Sequence, residues 1–130
     1  MKKPQIIMTI TKEDIGYSGH AKIQKVSINT QGEDMDELKT NIIDAVNLSF
    51  EDKGFVYALD EITLKPDLAS FFEFYKVINA KALSQRIGMN QSLLAQYING
   101  IKKPSAAQTQ RILQGVQQVG KELAAIQFLG

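Results

Sequence analysis

Residues 79–105 leave the chain little conformational choice. They specify two short helices, a tight turn between them and a basic loop after them. Asn79 is a helix cap for Ala80–Ile87, because its side-chain oxygen can accept from a free backbone N–H of the first turn. Gly88 stands where the chain must reverse sharply, and glycine alone adopts positive φ without steric cost. Asn90 caps a second helix over Gln91–Ile98, Gly100 ends it, and Pro104 bars helix immediately before itself. Leu83 and Ile87 lie one turn apart on the first helix, Met89 follows the turn, and Leu94, Tyr97 and Ile98 form the back of the second. Ser84 is small enough for the two backbones to approach closely where they cross.

What remains outward on the second helix is polar and uncharged: Gln91, Ser92 and Gln96, with Ala95 between them. No Asp or Glu occurs in residues 79–105, whereas Lys81, Arg86, Lys102 and Lys103 do. Amides and a hydroxyl on a narrow helix, flanked by cations, suit the major groove of duplex DNA. A helical hairpin that merely packs is the competing reading, which the Gly and Pro spacing and the missing acids disfavour. The run Ser84, Gly88, Met89, Asn90, Gln91, Ser92, Leu94, Gly100, Pro104, Ser105 resembles the helix-turn-helix of the Cro and phage-repressor type, with its flanking helices over residues 67–119. Members often carry Ala where Ser84 stands and a charged residue where Ile98 stands. The base-contact candidates are Asn90, Gln91, Ser92 and Gln96, with Gln91 first for adenine, since an amide can donate and accept at once. Lys81, Lys102 and Lys103 are the phosphate-contact candidates.

The front of the chain has a different rhythm. Ile6, Met8 and Ile10 alternate with Ile7, Thr9 and Thr11; Tyr17, Gly19, Ala21 and Ile23 alternate with polar residues; Val26, Ile28 and Thr30 follow. Three strands with brief connections predict an antiparallel meander. Asp34 and Glu37 have the spacing of a capping box. Met35, Leu38, Ile42, Ala45, Val46 and Phe50 then recur at helical spacing, with Gly54 as the stop. A fourth strand over residues 62–64 ends at Pro66. The fold class is therefore α+β, a small antiparallel sheet with one packed helix followed by an all-α domain, and Pro66 and Asp67 mark the boundary of modules 1–66 and 67–130.

Beyond the boundary, Asp67 caps a helix whose inner side carries Leu68, Phe71, Phe72, Tyr75 and Ile78. Ser105 and Gln108 start a later helix with a stripe of Thr109, Ile112, Leu113, Val116 and Val119, weakened by Gly115 and Gly120. The apolar residues Leu123, Ile126, Phe128 and Leu129 exceed what so small a bundle needs, and serve either core packing or a dimer contact.

Charge follows the same division. Residues 1–66 carry eight lysines and eleven carboxylates, net −3, and residues 67–130 carry seven cations and three carboxylates, net +4. A basic half can meet phosphate, and an acidic half suits a basic protein. The order of the first 65 residues resembles the antitoxin HicB: Gly16 and Tyr17 entering the second strand, then Gly32, Glu33, Asp34, Met35, Asp36 and Glu37 entering the helix, with the run Pro66, Asp67, Leu68 ahead of the helix-turn-helix. The resemblance implies a partial RNase-H-like fold that binds and blocks HicA, a small basic RNA-cleaving toxin, while the back half represses its own operon. The expected partners are double-stranded operator DNA, a HicA-like toxin and a second copy, as a homodimer or higher homo-oligomer. The alternative is a stand-alone transcriptional regulator whose front module senses a ligand or protein.

An enzyme is not expected. An RNase-H-type nuclease needs clustered carboxylates around two metal ions, and only Asp44 and Glu51 share a helix face. His20, the single histidine, falls on the polar face of a strand, with no second His and no Cys in the chain for a metal site or nucleophile. No cofactor is expected. Absent cysteines, a membrane span and a signal-peptide core make the cytoplasm the expected compartment.

Overall fold

The computed structural model describes residues 2–130. The strands are β1 (Ile6–Lys12), β2 (Tyr17–Ile23), β3 (Val26–Gly32) and β4 (Ile62–Pro66). The helices are α1 (Met35–Ser49), α2 (Leu68–Phe74), α3 (Ala80–Ile87), α4 (Gln91–Ile98) and α5 (Ala106–Ala125). The class is α+β, as the patterning predicts. Contacts divide the chain into a unit of Met1–Phe74 and a unit of Tyr75–Gly130.

In the first unit the sheet order is β3-β2-β1-β4. β1, β2 and β3 form the expected antiparallel meander. β4 changes the description: it runs parallel to β1, so the sheet is mixed rather than antiparallel. The cause is α1, which carries the chain across the sheet so that the next strand lies beside β1 in the same direction. Ile6, Met8 and Ile10 of β1 meet Leu38, Ile42 and Val46 of α1 in one core, joined by Ala21, Ile28 and Phe50. The stripe read from the sequence is thus the buried face. The helix ends earlier than Gly54: α1 stops at Ser49 with Phe50 as its cap, and Gly54 instead closes a short 3-10 turn over Glu51–Lys53.

The module boundary also differs from Pro66/Asp67. Asp67 Oδ1 accepts from Ser70 N at 2.8 Å, so the residue does cap α2, but its other oxygen accepts from Lys12 N at 3.0 Å. Its own N–H donates to Ile10 O at 2.9 Å. The Phe74 ring lies 4.9 Å from that of Tyr17. These ties hold α2 on β1, inside the first unit. The helix ends at Phe74, so Tyr75 and Ile78 do not extend its packed side, and Tyr75 is exposed.

With the division after Phe74 the charge split sharpens. Residues 1–74 hold eight lysines against thirteen carboxylates, net −5, and residues 75–130 hold seven cations against Glu122 alone, net +6. Among the described residues no helix is long and apolar enough to cross a membrane.

Replacing Asp67 with Ala should destabilise the first unit by about 1–3 kcal/mol, since a part-buried cap and a second, exposed hydrogen bond to β1 are lost together. Urea unfolding followed by near-UV circular dichroism checks this, and a loss no larger than that of an ordinary surface Asp would contradict the double role.

Candidate nucleic-acid interface

α3 begins as its cap predicts: Asn79 Oδ1 accepts from Ala82 N at 3.0 Å. Leu83 and Ser84 are buried, and the Ser84 hydroxyl donates to Lys81 O at 2.6 Å, so a polar atom at the crossing is satisfied. Gly88 adopts φ +68°, and Met89 N donates back to Ser84 O at 2.9 Å, closing the end of α3. Met89 is buried beside the turn. Asn90 Oδ1 then accepts from Ser92 N at 2.8 Å and Leu93 N at 3.2 Å, which starts α4.

α5 fixes this corner from behind. Ile112 is buried, and Gly115 lies so close to α3 that an added Cβ would stand 2.4 Å from Ile87 Cγ2. The Arg111 guanidinium donates to Ile87 O and Gly88 O, both at 2.8 Å. A helix end leaves such carbonyls without internal partners, and a single cationic nitrogen, Nη2 of Arg111, satisfies two of them. Arg86 on α3 pairs with Glu122 on α5. The sequence reading did not single out Arg111 or Glu122. For Glu122 a signal existed: as the lone carboxylate of residues 75–130, it had only cations around it to pair with.

Leu94 anchors α4 to the core, with Leu93, Tyr97 and Ile98 half-buried beside it. On the outer side Gln91, Ser92 and Ala95 are exposed, and Gln96 is half-buried. The candidates are not equivalent. Asn90 is exposed, but its oxygen is committed to the helix cap, which leaves its amide nitrogen as the outward group. Gln96 O accepts from Ile101 N at 2.9 Å and Lys102 N at 3.2 Å, so the loop folds back against the end of α4. That return brings Lys102 and Lys103 beside the helix. Lys102, Lys103 and Lys81 are exposed, and among the described residues none has an ion-pair partner, the only nearby carboxylate being taken by Arg86. The arrangement is an uncharged hydrogen-bonding face, edged by free cations, on a braced three-helix corner.

Comparison of the chain with protein-family models, with curated proteins and with solved structures returned no match. The chemistry of the surface therefore carries the functional argument.

Two concave surfaces of the first unit stand out. One, of ≈ 400 Å³, is walled by Asp44, Asn47, Leu48, Glu51, Phe55 and Val56. Leu48 and Val56 are each 73% exposed there. Lys3 braces that wall, donating to Val56 O at 2.6 Å and to Glu61 Oε2 at 2.7 Å. Bonding to Lys3, aided by the Ala58 N–H, holds the Glu61 carboxyl below the usual carboxylate range. Asp44 and Glu51 line the same concavity but do not share a helix, because α1 ends at Ser49 and Glu51 lies on the 3-10 turn after it; among the described residues no group of three His, Asp or Glu is placed to hold a metal ion. The second concavity, of ≈ 490 Å³, is polar and contains Ser18, His20, Asn29 and Gln31. His20 is exposed on the open sheet face, its Nδ1 2.7 Å from Asn29 Oδ1.

Arg111→Ala should lower the stability of the second unit by about 1–3 kcal/mol, because two carbonyls lose a charged donor. Arg111→Lys should recover less than half of the loss, as the shorter, more strongly hydrated ammonium side chain reaches the two carbonyls less well. Thermal unfolding of the three proteins checks this, and full rescue by Lys would mean that charge alone is at work.

Because Glu61 titrates lower folded than unfolded, its contribution to stability is present above the ordinary carboxylate pKa and lost as pH falls through the depressed value. Lys3→Ala should move the Glu61 titration midpoint up towards the unperturbed range, as read by NMR; an unmoved midpoint would remove Lys3 as the cause.

Proposed function

We propose that the chain is an antitoxin and autorepressor of the HicB kind, with a helix-turn-helix formed by α3 and α4 and a partial RNase-H-like module formed by the first unit. The observation that carries this reading is the outer face of α4. Gln91 and Ser92 stand exposed at the start of a short helix whose back is packed, in a unit whose exposed Lys81, Lys102 and Lys103 have no ion-pair partner among the described residues. An α-helix of this width fits the major groove, exposed amides read base edges, and the lysines bind phosphate. Gln91 is the principal adenine contact, with Ser92 and Gln96 beside it and Asn90 serving chiefly as the cap.

The first unit supports the other half of the reading. At net −5 it would be repelled by a polyanion and attracted to a small basic protein. The wall of Asp44 and Glu51 around exposed Leu48 and Val56 offers both terms such a partner would use, charge at the rim and apolar area at the centre. A HicA-like toxin has that chemistry.

A stand-alone regulator is the second reading. It is favoured by the polar concavity around His20 and Asn29, whose size is that of a small-molecule site. Purification of the native complex separates the two: a short basic protein held by the chain supports the antitoxin, whereas a chain that purifies without a protein partner and binds its operator alone supports the regulator.

Gln91→Ala should cost about 1–3 kcal/mol on the preferred operator and little on random duplex. Equal losses on both, measured by fluorescence anisotropy, would remove Gln91 from base reading. Joint replacement of Lys102 and Lys103 by Ala should weaken binding to every sequence and reduce the salt slope by about 2. Reversing Asp44 and Glu51 to Lys should release the basic partner while leaving operator affinity in place; retained partner binding would shift the contact surface elsewhere.

A further inference from the structure

The sheet of the first unit ends differently at its two sides. On one side β4 carries Lys65 and closes at Pro66, and a charge and a proline both discourage a further strand. On the other side β3 is seven residues long, pairs with β2 one residue to one without a bulge, and holds neither a charge nor a proline. Which of its backbone groups face outward follows from the hairpin. Ile23 pairs with Val26 across the two-residue turn of Gln24 and Lys25, so this pair exchanges hydrogen bonds. Alternation then directs Ile28, Thr30 and Gly32 to β2, and Ser27, Asn29 and Gln31 to the open edge. Gln31 O agrees with that parity, because it accepts from Asn41 Nδ2 of α1 at 2.7 Å. α1 backs onto β3 and β2 rather than onto β1 or β4. Asn41 marks the flank of α1 on the β3 side, and Glu37, Asp44 and Leu48 lie within an arc of about 60° beside it. Leu48 is exposed. A bare strand edge beneath a helix flank with an uncovered leucine leaves room for one more strand.

We propose that β3 receives an extended segment of a basic protein, added to the sheet as a fifth strand. The backbone of that segment bonds to Ser27, Asn29 and Gln31, and its alternate side chains turn towards Leu48. Charge selects the occupant. The flank above the edge carries Glu37 and Asp44 and no cation, and β3 leads directly into Glu33, Asp34 and Asp36. Lys22 and Lys25 lie at the hairpin end, so the segment carries its Lys or Arg residues towards the Gly32 end. A second copy is the poorer occupant. Two β3 edges paired about a two-fold axis would set Glu37 and Asp44 of one α1 against the same residues of the other, in units that each bear −5. The proposal rests on the reading of the first unit as the binder of a small basic protein, and names the element that grips it.

Hydrogen exchange of the full chain, read by NMR, tests this with a synthetic seven-residue peptide of alternating valine and lysine. The amides of Ser27, Asn29 and Gln31 should slow by about tenfold or more, with those of β4 unchanged and a valine–glutamate peptide without effect. Two further peptides carry N-methyl groups on alternate residues, in the two possible registers. Strand addition tolerates one register and not the other, whereas attraction of charge alone treats them equally. Leu48→Lys, at an exposed position, should weaken peptide binding by about fivefold or more, and Asn29→Pro, whose nitrogen faces away from β2, should abolish it. If Asn29→Pro fails to fold, Leu48→Lys and the methylated peptides decide. Unchanged exchange along β3, or equal binding of both methylated registers, overturns the proposal. Protection of the same amides in the free chain that rises with its concentration assigns the edge to a second copy and also overturns it. A native basic partner that leaves these three amides unprotected removes this contact while the antitoxin reading stands. A chain that purifies without any protein partner, yet adds the lysine peptide at β3, removes the antitoxin reading and leaves the strand site.

Discussion

The geometry of the second unit depends on one cation. Arg111 lies on α5, yet both of its backbone contacts are to the turn that ends α3. A turn of this kind is a weak point, because the helix carbonyls there have no internal partner and the glycine that permits the reversal also permits other conformations. The guanidinium removes that freedom by holding Ile87 O and Gly88 O together. Everything after the turn inherits its direction from it: Met89 drops into the core, Asn90 caps α4, and Leu94 seats the helix. A side chain on one helix thus sets the angle at which a different helix presents Gln91 and Ser92. Precise presentation matters for base reading, since hydrogen bonds to base edges are lost over an error of a few tenths of an ångström in reach.

The first unit is built on a different constraint. One face of its sheet is closed by α1, and Asp67 ties the beginning of α2 to the end of β1 with both carboxylate oxygens. The other face carries the exposed side chains of Ile7, Thr9, His20, Lys22, Asn29 and Thr63. The acids gather elsewhere, on α1, the 3-10 turn after it and the loops. The two units therefore carry opposite charge, −5 and +6, in a chain whose net charge of +1 conceals both. Separation of that kind lets one polypeptide attract a polyanion and a polycation at different surfaces, with each attraction weakened by salt.

Much of this was legible in the residues because it is local. Caps at Asn79, Asn90 and Ser105, the reversal at Gly88 and the alternation of Ile6, Met8 and Ile10 each depend on a few neighbouring positions, and each lies where the spacing places it. What the sequence hid is non-local. The second oxygen of Asp67 binds Lys12, fifty-five positions away, and so moves α2 into the first unit. The parallel register of β4 is decided by the path of α1, which strand composition does not encode. Arg111 reads as one more surface cation until the turn it caps is in view. Leu113 matches the buried period of α5 but turns outward, because an α-helix of 20 residues offers more faces than a three-helix corner can cover.

That last mismatch bears on how an interface of this size could work. α4 is eight residues long, and only its first turn and one later position face outward with polar groups. If it reads DNA as proposed, a surface so small reaches only a few base pairs, and each good contact discriminates by only about 1–3 kcal/mol. One copy would therefore bind many sites nearly equally. Two copies held at a fixed separation read two half-sites at once, and the second is engaged at a high effective concentration rather than from bulk solution. The separation must be set by a rigid element, and α5 is the only long helix of the second unit, already locked to the α3 turn through Arg111 and to α3 itself through Gly115 and the Arg86–Glu122 pair. The same helix that orients α4 within one copy is thus the one with uncovered apolar surface to offer another. On the proposed reading, orientation and spacing would then rest on a single element, so a change on α5 would be felt at the outer face of α4 without touching it.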